Sequence, residues 1–366
     1  MILALSVPPL ITPPTPYVAT VSAKVGQAPD LPIRATRFRP RFMPPLSLNG
    51  WSRISLRALF RGLLLSVLVL SIRASEVTAR MLLLAGAQPT PTDLIVVGER
   101  ATILRSADNA RTWQPVSLPA GVTATLTGLS FGPDATHAWA VGHDAIILTT
   151  TDAGRTWQKS WQSDNLTESF LDVLAVDARH IIAIGAYGLY LETTDGGITW
   201  QRRKILSDDL HLNRLTRGPT GTLYLAGERG TLLRSKDTGA TWQPIESPYD
   251  GSFYGILPLA QNVLVAHGLR GRLYRTDDDG RTWRLIPIPD RVLLATALKL
   301  KNDTVLFAGQ ARAFFASQDQ ARSVAAQPVA FTSAVATLIE LADGRLLALG
   351  EAGATVFTLT VPSIHP

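Results

Sequence analysis

The sequence predicts an all-β fold, a seven-bladed β-propeller built from four-stranded antiparallel blades. Two periodic signals indicate this architecture. A glycine ends an apolar run seven times, at intervals of 41 to 44 residues, and these positions are Gly98, Gly142, Gly185, Gly227, Gly268, Gly309 and Gly350. A motif of the form Ser/Thr-x-Asp-x-Gly-x-Thr-Trp follows five of the runs, and a divergent sixth copy spans Ser317–Val324. Small sheets repeated at such a period bury both faces only by packing between neighbours.

The third repeat shows how one blade is built. Apolar, β-prone segments at 170–176, 181–185 and 189–193 are separated by short turns, and a fourth strand opens at Trp200 after the motif. The innermost strand is apolar on both faces because it lies between neighbouring blades.

The repeated motif is explained as a turn between the third and fourth strands. An Asp carboxylate accepts hydrogen bonds from backbone N–H groups two or three residues on, the Gly supplies a positive φ, and the Trp packs beside the turn. Blades one and six are expected to have weaker turns, by up to ~1 kcal/mol, because Ala110 and Ala321 replace the Gly and Val324 replaces one Trp. The residues assigned this structural role are Asp108, Trp113, Asp152, Trp157, Asp195, Trp200, Asp237, Trp242, Asp278, Trp283 and Asp319.

The seventh repeat supplies only three strands, at 336–341, 345–350 and 354–360. Propellers commonly complete such a blade with a strand from the other end of the chain, which protects the open edge. We expect residues 75–80 to provide this strand.

Composition limits the function. The 366-residue chain has a net charge of +6, but nine Lys/Arg and one acidic residue lie in residues 1–74, so the repeat region is slightly acidic and nucleic acid is not expected as a partner. The absence of cysteine excludes disulfides, thiol catalysis and Cys-ligated metals. The histidines show no metal-ligand spacing, and we expect neither a metal nor a small-molecule cofactor.

The chain before the repeats carries an export signature. A basic stretch at 53–61 precedes an apolar run at 62–72, which predicts a signal peptide or N-terminal anchor over 53–74; a buried core helix is the alternative. Cleavage after Ala74 is favoured over cleavage after Ala79, because it preserves residues 75–80. Residues 1–52 are either a disordered leader or a mis-assigned start, with Met43 as the true first residue. The propeller is assigned to 75–366.

The repeated motifs are Asp-boxes, or BNR repeats, known from sialidases, other glycosidases and sortilin-like receptors. Repeats such as Leu171–Trp200 resemble the photosystem II assembly and stability factor family of seven-bladed propellers with Asp-box turns, including its bacterial relatives, over residues 80–360. The resemblance implies a non-catalytic, exported scaffold that helps assemble a membrane protein complex. It implies the thylakoid lumen in photosynthetic organisms, and in other bacteria a periplasmic protein that accompanies inner-membrane transport systems.

Partners are expected on the face that carries the turns between second and third strands. Three arginines at matching turn positions suit carboxylates or phosphates of a membrane protein complex or its subunits, and the protein is expected to be a monomer. The alternative is that each arginine pairs with a neighbouring acid on a solvated turn. The predicted partner-binding residues are Arg100, His143, Tyr187, Arg229 and Arg270.

A competing hypothesis is an Asp-box glycoside hydrolase of the sialidase type. Such enzymes usually carry an Arg-Ile-Pro segment, which is absent here. An ordinary glycosidase needs two facing carboxylates, and the sequence does not pair its candidates, which are Asp164, Glu168, Asp172, Asp208, Asp209 and Asp250. We therefore expect no enzymatic activity and assign no catalytic residue.

Overall fold

A computed structural model of the protein describes residues 81–289, 291–328 and 331–359. These residues form seven antiparallel sheets, six of four strands and one of three, and each sheet follows the order of its strands along the chain. Each innermost strand packs against the innermost strand of the next blade, and the last of them packs against the first. The predicted seven-bladed, all-β propeller is therefore confirmed.

The strands are short and follow one pattern in each blade. Blades 1 to 3 comprise β1 (Leu83–Ala87), β2 (Leu94–Gly98), β3 (Thr102–Ser106), β4 (Gln114–Pro115), β5 (Leu126–Phe131), β6 (Ala138–Gly142), β7 (Ile146–Thr150), β8 (Gln158–Gln162), β9 (Phe170–Ala175), β10 (Ile181–Gly185), β11 (Tyr190–Thr193) and β12 (Gln201–Arg202). Blades 4 and 5 comprise β13 (Leu212–Arg217), β14 (Leu223–Gly227), β15 (Leu232–Ser235), β16 (Gln243–Pro244), β17 (Phe253–Ala260), β18 (Val263–Gly268), β19 (Leu273–Thr276) and β20 (Arg284–Leu285). Blades 6 and 7 comprise β21 (Leu294–Lys299), β22 (Val305–Gly309), β23 (Phe314–Ser317), β24 (Ala325–Ala326), β25 (Val335–Glu340), β26 (Leu346–Gly350) and β27 (Gly353–Phe357).

Helical structure in the described ranges is confined to three single 3₁₀ turns, at Ala186–Gly188, Leu269–Gly271 and Gln310–Arg312. Each joins the second strand of a blade to the third. Within the described ranges, no helix has the length and apolar character needed to cross a membrane.

The repeated glycines are required by a close approach of two backbone segments. A Cβ added to Gly309 would lie 1.9 Å from the carbonyl oxygen of Leu293, and one added to Gly350 would lie 2.0 Å from that of Ala334. The same Leu293 oxygen accepts the N–H of Gln310 at 3.0 Å, which holds the first strand of the blade against the turn. A side chain at the glycine would force these segments apart.

The core lies between the blades. All five residues of β2 are buried, and the second strands of the other blades are almost entirely buried. The ring closes where Leu83 and Trp113 of blade 1 pack in one apolar cluster with Leu349 of blade 7. The Thr337 hydroxyl also donates a hydrogen bond of 2.7 Å to the carbonyl of Leu84 across this seam. Closure within the described residues therefore rests on side-chain packing and side-chain hydrogen bonds, not on a shared sheet.

The Asp-box turns are built from hydrogen bonds within each motif. In blade 4, Asp237 accepts hydrogen bonds from the Thr241 N–H at 2.9 Å, the Thr241 hydroxyl at 2.6 Å and the Ser235 hydroxyl at 2.6 Å. Hydrogen bonds from the Ser235 hydroxyl, which has the largest effect, and from the Thr241 hydroxyl lower the pKa of Asp237 to about 2. The indole of Trp242 reaches back to blade 3 and donates to the Tyr190 hydroxyl at 3.3 Å.

The expected spacing of these hydrogen bonds was wrong by one residue. Asp152 accepts from the N–H groups of Arg155 and Thr156, three and four residues on, instead of two or three. The reason is that two successive residues take positive φ, 59° at Ala153 and 79° at Gly154, and this adds a residue to the loop. The alanines that replace the turn glycine adopt the same conformation, with φ of 65° at Ala110 and 60° at Ala321.

Blade 7 has three strands in the described part of the chain. The segment 75–80 that was expected to complete it lies outside the described residues, as do the leader at 1–52 and the export segment at 53–74. Those predictions remain untested by the fold.

Candidate functional site

One face of the ring carries both the turns between second and third strands and the connections between blades. Backbone hydrogen bonds join a turn to a connection in several blades. The N–H of Ala101 donates to the carbonyl of Ala124 at 2.9 Å in blade 1, and the N–H of Gly230 donates to the carbonyl of Gly251 at 2.8 Å in blade 4. We call this surface the turn face. The Asp-boxes follow the opposite ends of the third strands, and we call that surface the Asp-box face.

Four of the five predicted partner-binding residues occupy equivalent positions on the turn face. Arg100, Tyr187, Arg229 and Arg270 each stand two residues after the repeated glycine, with φ of 53°, 53°, 50° and 57°. This left-handed conformation directs each side chain away from the blade, and all four residues are exposed. His143 is also exposed but lies one position earlier in its turn. The five residues thus lie on consecutive blades 1 to 5.

The acids next to these arginines are bonded to backbone. Glu99 accepts a hydrogen bond of 3.0 Å from the N–H of Leu82, and Glu228 accepts one of 3.1 Å from the N–H of His211. Within the described ranges, Arg100, Arg229 and Arg270 form no ion pair. The alternative in which each arginine pairs with its neighbouring acid is therefore not observed.

A groove of about 700 Å³ opens on the turn face at blade 3. Tyr187, which is 70% exposed, forms one side of it. Its ring packs edge to face against His211, with ring centroids 4.8 Å apart. Leu166, a second large apolar side chain, is 58% exposed in the loop that lines the groove at Asn165 and Thr167. An aromatic anchor beside a concavity is typical of protein-binding surfaces.

The walls of the groove carry charged side chains, most of which form ion pairs with one another. Arg202 donates two hydrogen bonds, of 2.9 and 2.7 Å, to the carboxylate of Glu168. The hydrogen bonds from Arg202 hold the pKa of Glu168 below its usual value. Lys204 lies 3.4 Å from Asp209.

Arg203, which also lines the groove, has a structural role. Its guanidinium binds the Glu192 carboxylate at 2.7 Å and the Gly239 carbonyl at 3.0 Å, and lies 5.5 Å from the centroid of the Tyr190 ring. These contacts join blades 3 and 4.

A second, smaller hollow of about 300 Å³ lies on blade 5 and includes Arg270. Arg272 lines it and lies 5.5 Å above the ring of Tyr249, while Leu285 contributes a side chain that is 45% exposed. Sequence reasoning missed Arg272, because only the fold brings the connection bearing Tyr249 beside it.

The candidate glycosidase carboxylates do not all lie in one site. Glu168, Asp208 and Asp209 line the blade 3 groove, whereas Asp164 and Asp250 do not. Asp172 is buried in an innermost strand, where it accepts a hydrogen bond of 2.8 Å from the N–H of Leu215. Burial raises the pKa of Asp172.

The sequence matches the family described as photosynthesis system II assembly factor YCF48, over residues 72–168 and 158–361. The chain belongs to this family. The predicted resemblance is thereby confirmed.

Solved structures show the same fold. A YCF48 bound to D1 peptide matches with a TM-score of 0.65 and 21% identity, covering 79% of this chain and 95% of the other. YCF48 from Cyanidioschyzon merolae matches with a TM-score of 0.65 and 17% identity, covering 76% and 96%. A GH74 xyloglucanase from Xanthomonas campestris matches with a TM-score of 0.62 and 15% identity, covering 76% of this chain and 52% of the enzyme. A search of curated proteins found no match.

Proposed function

We propose that this protein is a non-catalytic binding and assembly platform that holds a subunit of a membrane protein complex on its turn face. The observation that carries the proposal is the row of exposed side chains on blades 3 to 5, where Tyr187 stands beside a groove and Arg229 and Arg270 form no ion pair within the described residues. Unpaired guanidinium groups suit partner carboxylates, and a nearby tyrosine supplies a rigid apolar contact.

Family membership supports an assembly role. One solved relative of the same fold is a YCF48 bound to a D1 peptide, which makes a polypeptide segment a reasonable class of partner for the turn face here. The protein is exported by the segment at 53–74, to the periplasm or, in a photosynthetic organism, to the thylakoid lumen. In a non-photosynthetic organism the partner is a component of a transport system of the inner membrane.

The charge state of the groove argues against the glycosidase alternative. A glycosidase needs a carboxylic acid with a raised pKa facing a second carboxylate across the cleft. Glu168, the groove carboxylate nearest to Arg202, has its pKa lowered by that arginine and stays ionised at neutral pH. Asp172, whose pKa is raised by burial, does not line the groove.

The test is capture of partners by the full-length protein from detergent-solubilised membranes of its own organism, read by quantitative mass spectrometry. We expect one membrane complex with the wild type, at least tenfold less with Arg229→Glu/Arg270→Glu, and a smaller loss with Tyr187→Ala. A tenfold loss corresponds to about 1.4 kcal/mol, which is within reach of one hot-spot side chain.

The opposite face offers matched controls. Ile198 is 82% exposed in an Asp-box, and Arg281 is exposed in another. Ile198→Ala and Arg281→Glu change the same kinds of side chain and are expected to leave capture unchanged. Equal loss with the turn-face and control variants would contradict the site, and glycan turnover by the purified protein would contradict the non-catalytic role.

A further inference from the structure

Three arginines line the hollow on blade 5, and they are Arg270, Arg272 and Arg291. None of the described residues that line it is acidic. Within the described ranges, none of the three arginines forms an ion pair. The hollow has a volume of about 300 Å³, which is the size of a small-molecule pocket. It is therefore a concave, positively charged surface whose charge the described residues do not neutralise.

The backbone and a neighbouring ring hold Arg272 in place. Its N–H donates to the carbonyl of Leu269 at 3.1 Å, and its carbonyl accepts the N–H of Gly268 at 3.1 Å. Its guanidinium lies 5.5 Å from the centroid of the Tyr249 ring. That ring is itself stacked on Tyr274, with the two centroids 6.4 Å apart. An arginine that is ordered in this way loses little conformational freedom when it binds a ligand.

The same arrangement in blade 3 has the counter-charge that Arg272 lacks. Arg203 also lies 5.5 Å from the centroid of a tyrosine ring, that of Tyr190, but it binds the Glu192 carboxylate at 2.7 Å. The Nε atom of Arg272 is instead buried, with no hydrogen-bond partner among the described residues. A buried donor without a partner costs stability, so the contacts of the fold do not account for this arginine.

The repeat shows that the fold does not require a cation at this position. Arg272 stands four residues after the repeated glycine, opposite that glycine in the sheet. The equivalent residue is uncharged in blades 1 to 4 and in blade 6. These equivalents are Thr102, Ile146, Leu189, Thr231 and Ala313. Because two of the blades have threonine here, Arg272→Thr is a substitution that the blade accepts.

We propose that this hollow binds a phosphate group, with Arg272 as its anchor and with Arg270 and Arg291 adding charge. A guanidinium presents planar N–H donors that match phosphate oxygens in pairs. Three guanidinium groups suit the several oxygens of a phosphate better than the two oxygens and single charge of a carboxylate. The site goes beyond the proposed assembly role and does not depend on it, since it requires no polypeptide partner.

Two sources carry this chemistry, free inorganic phosphate and the headgroup of a phospholipid. The rest of the lining bears on the choice between them, because it is apolar. Leu285, which is 45% exposed, and Ile288 lie beside the arginines. These side chains give a phospholipid an apolar contact that inorganic phosphate cannot use.

The test is isothermal titration calorimetry of the purified full-length protein with three probes at equal ionic strength. The probes are inorganic phosphate, acetate, and dihexanoyl-phosphatidylglycerol below its critical micelle concentration. We expect both phosphate compounds to bind, and Arg272→Thr to weaken their binding about tenfold or more, as for a lost charge-assisted bidentate contact. Arg312→Thr is the matched control, because it removes the same charge from an exposed turn-face position on blade 6. Its effect is expected to stay within about twofold, since a distant surface charge is screened.

The two phosphate probes identify the source. If the natural ligand is a lipid, dihexanoyl-phosphatidylglycerol binds more tightly than inorganic phosphate, and Leu285→Ala removes that difference. If it is free phosphate, inorganic phosphate binds at least as tightly, and Leu285→Ala changes neither affinity. Both results support a phosphate site.

Three results would overturn the proposal. They are no binding of either phosphate compound by the wild type, an affinity for acetate equal to that for phosphate, and equal losses in Arg272→Thr and Arg312→Thr. Circular dichroism of each variant shows whether its fold is that of the wild type. Because the titrations use purified protein, a failure to capture a membrane complex would bear on the proposed function alone.

Discussion

Replacing Gly350 by alanine tests the physical origin of the repeated glycines. A Cβ at this position would lie 2.0 Å from the carbonyl oxygen of Ala334 and 3.0 Å from its carbonyl carbon. The same oxygen accepts the N–H of Glu351 at 3.2 Å. To restore an ordinary contact the start of β25 must move by more than about an ångström, and this hydrogen bond must stretch or break.

The expected cost follows from these two effects. Overpacking typically destabilises a core by about 1–3 kcal/mol, and loss of one hydrogen bond adds about 1 kcal/mol, so Gly350→Ala is expected to cost about 3 kcal/mol. Gly344, in the same blade, is the control. It has a φ of +84° and nothing within 4 Å of an added Cβ, so Gly344→Ala costs only the left-handed strain of about 1–2 kcal/mol.

Thermal unfolding followed by circular dichroism distinguishes the two variants. For a domain of this size 1 kcal/mol corresponds to about 2–4 °C in Tm, so we expect a loss of about 6–12 °C for Gly350→Ala and about one to two thirds of that loss for Gly344→Ala. Equal losses in both variants, or a larger loss for Gly344→Ala, would refute the argument that close backbone approach, not backbone conformation, selects glycine in this repeat.

Three further predictions concern single side chains. The pKa of Asp237 is about 2 in the folded protein against an ordinary 3.8, so the stability that its carboxylate contributes is complete above pH 4 and is lost as pH falls towards 2. Over that interval the Tm of Asp237→Asn is expected to fall less steeply than that of the wild type. Burial raises the pKa of Asp172, so its ionised form is disfavoured in the fold. Asp172→Asn keeps an acceptor for the Leu215 N–H and is expected to unfold at the wild-type temperature or above at pH 7, with the difference in Tm vanishing in acid. A large loss of Tm at pH 7 would show that the charge stabilises the fold. Ala321→Gly relieves the strain of a φ of 60° but removes a fully buried methyl group. These opposing effects on stability are each about 1 kcal/mol, so calorimetry is expected to show a Tm within about 2 °C of the wild type. A larger gain in Tm would mean that the turn in blade 6 is strained, as the sequence suggests.

Local rules of the chain were enough to predict the blade. The alternation of short apolar runs and turns places the strands, and the Asp-box pattern predicts the hydrogen-bonded turn because its parts lie within eight residues of one another, as from Ser235 to Trp242. The error of one residue in the hydrogen bonds of Asp152 arose because Ala153 also takes a positive φ. Nothing in an alanine side chain signals that conformation, which is imposed by the closed loop around it.

The candidate site was predicted only in outline. The turn positions of Tyr187, Arg229 and Arg270 could be read from the repeat, since each follows the glycine by two residues. Whether the arginines are ion-paired could not, because that depends on what the neighbouring acids bind. Glu228 is held by the N–H of His211, so it is not engaged with Arg229.

The sequence by itself determined the number of blades, the strand pattern and the turn chemistry, because these depend on residues close together in the chain. The tertiary structure alone decided which side chains from distant parts of the chain meet: the pairing of Glu168 with Arg202, the use of Arg203 to join blades 3 and 4, and the groove beside Tyr187. These contacts join residues that are tens of positions apart. Their geometry follows from how the strands of a blade and its connections are arranged and how each blade packs on the next, and no local pattern of residues records that arrangement.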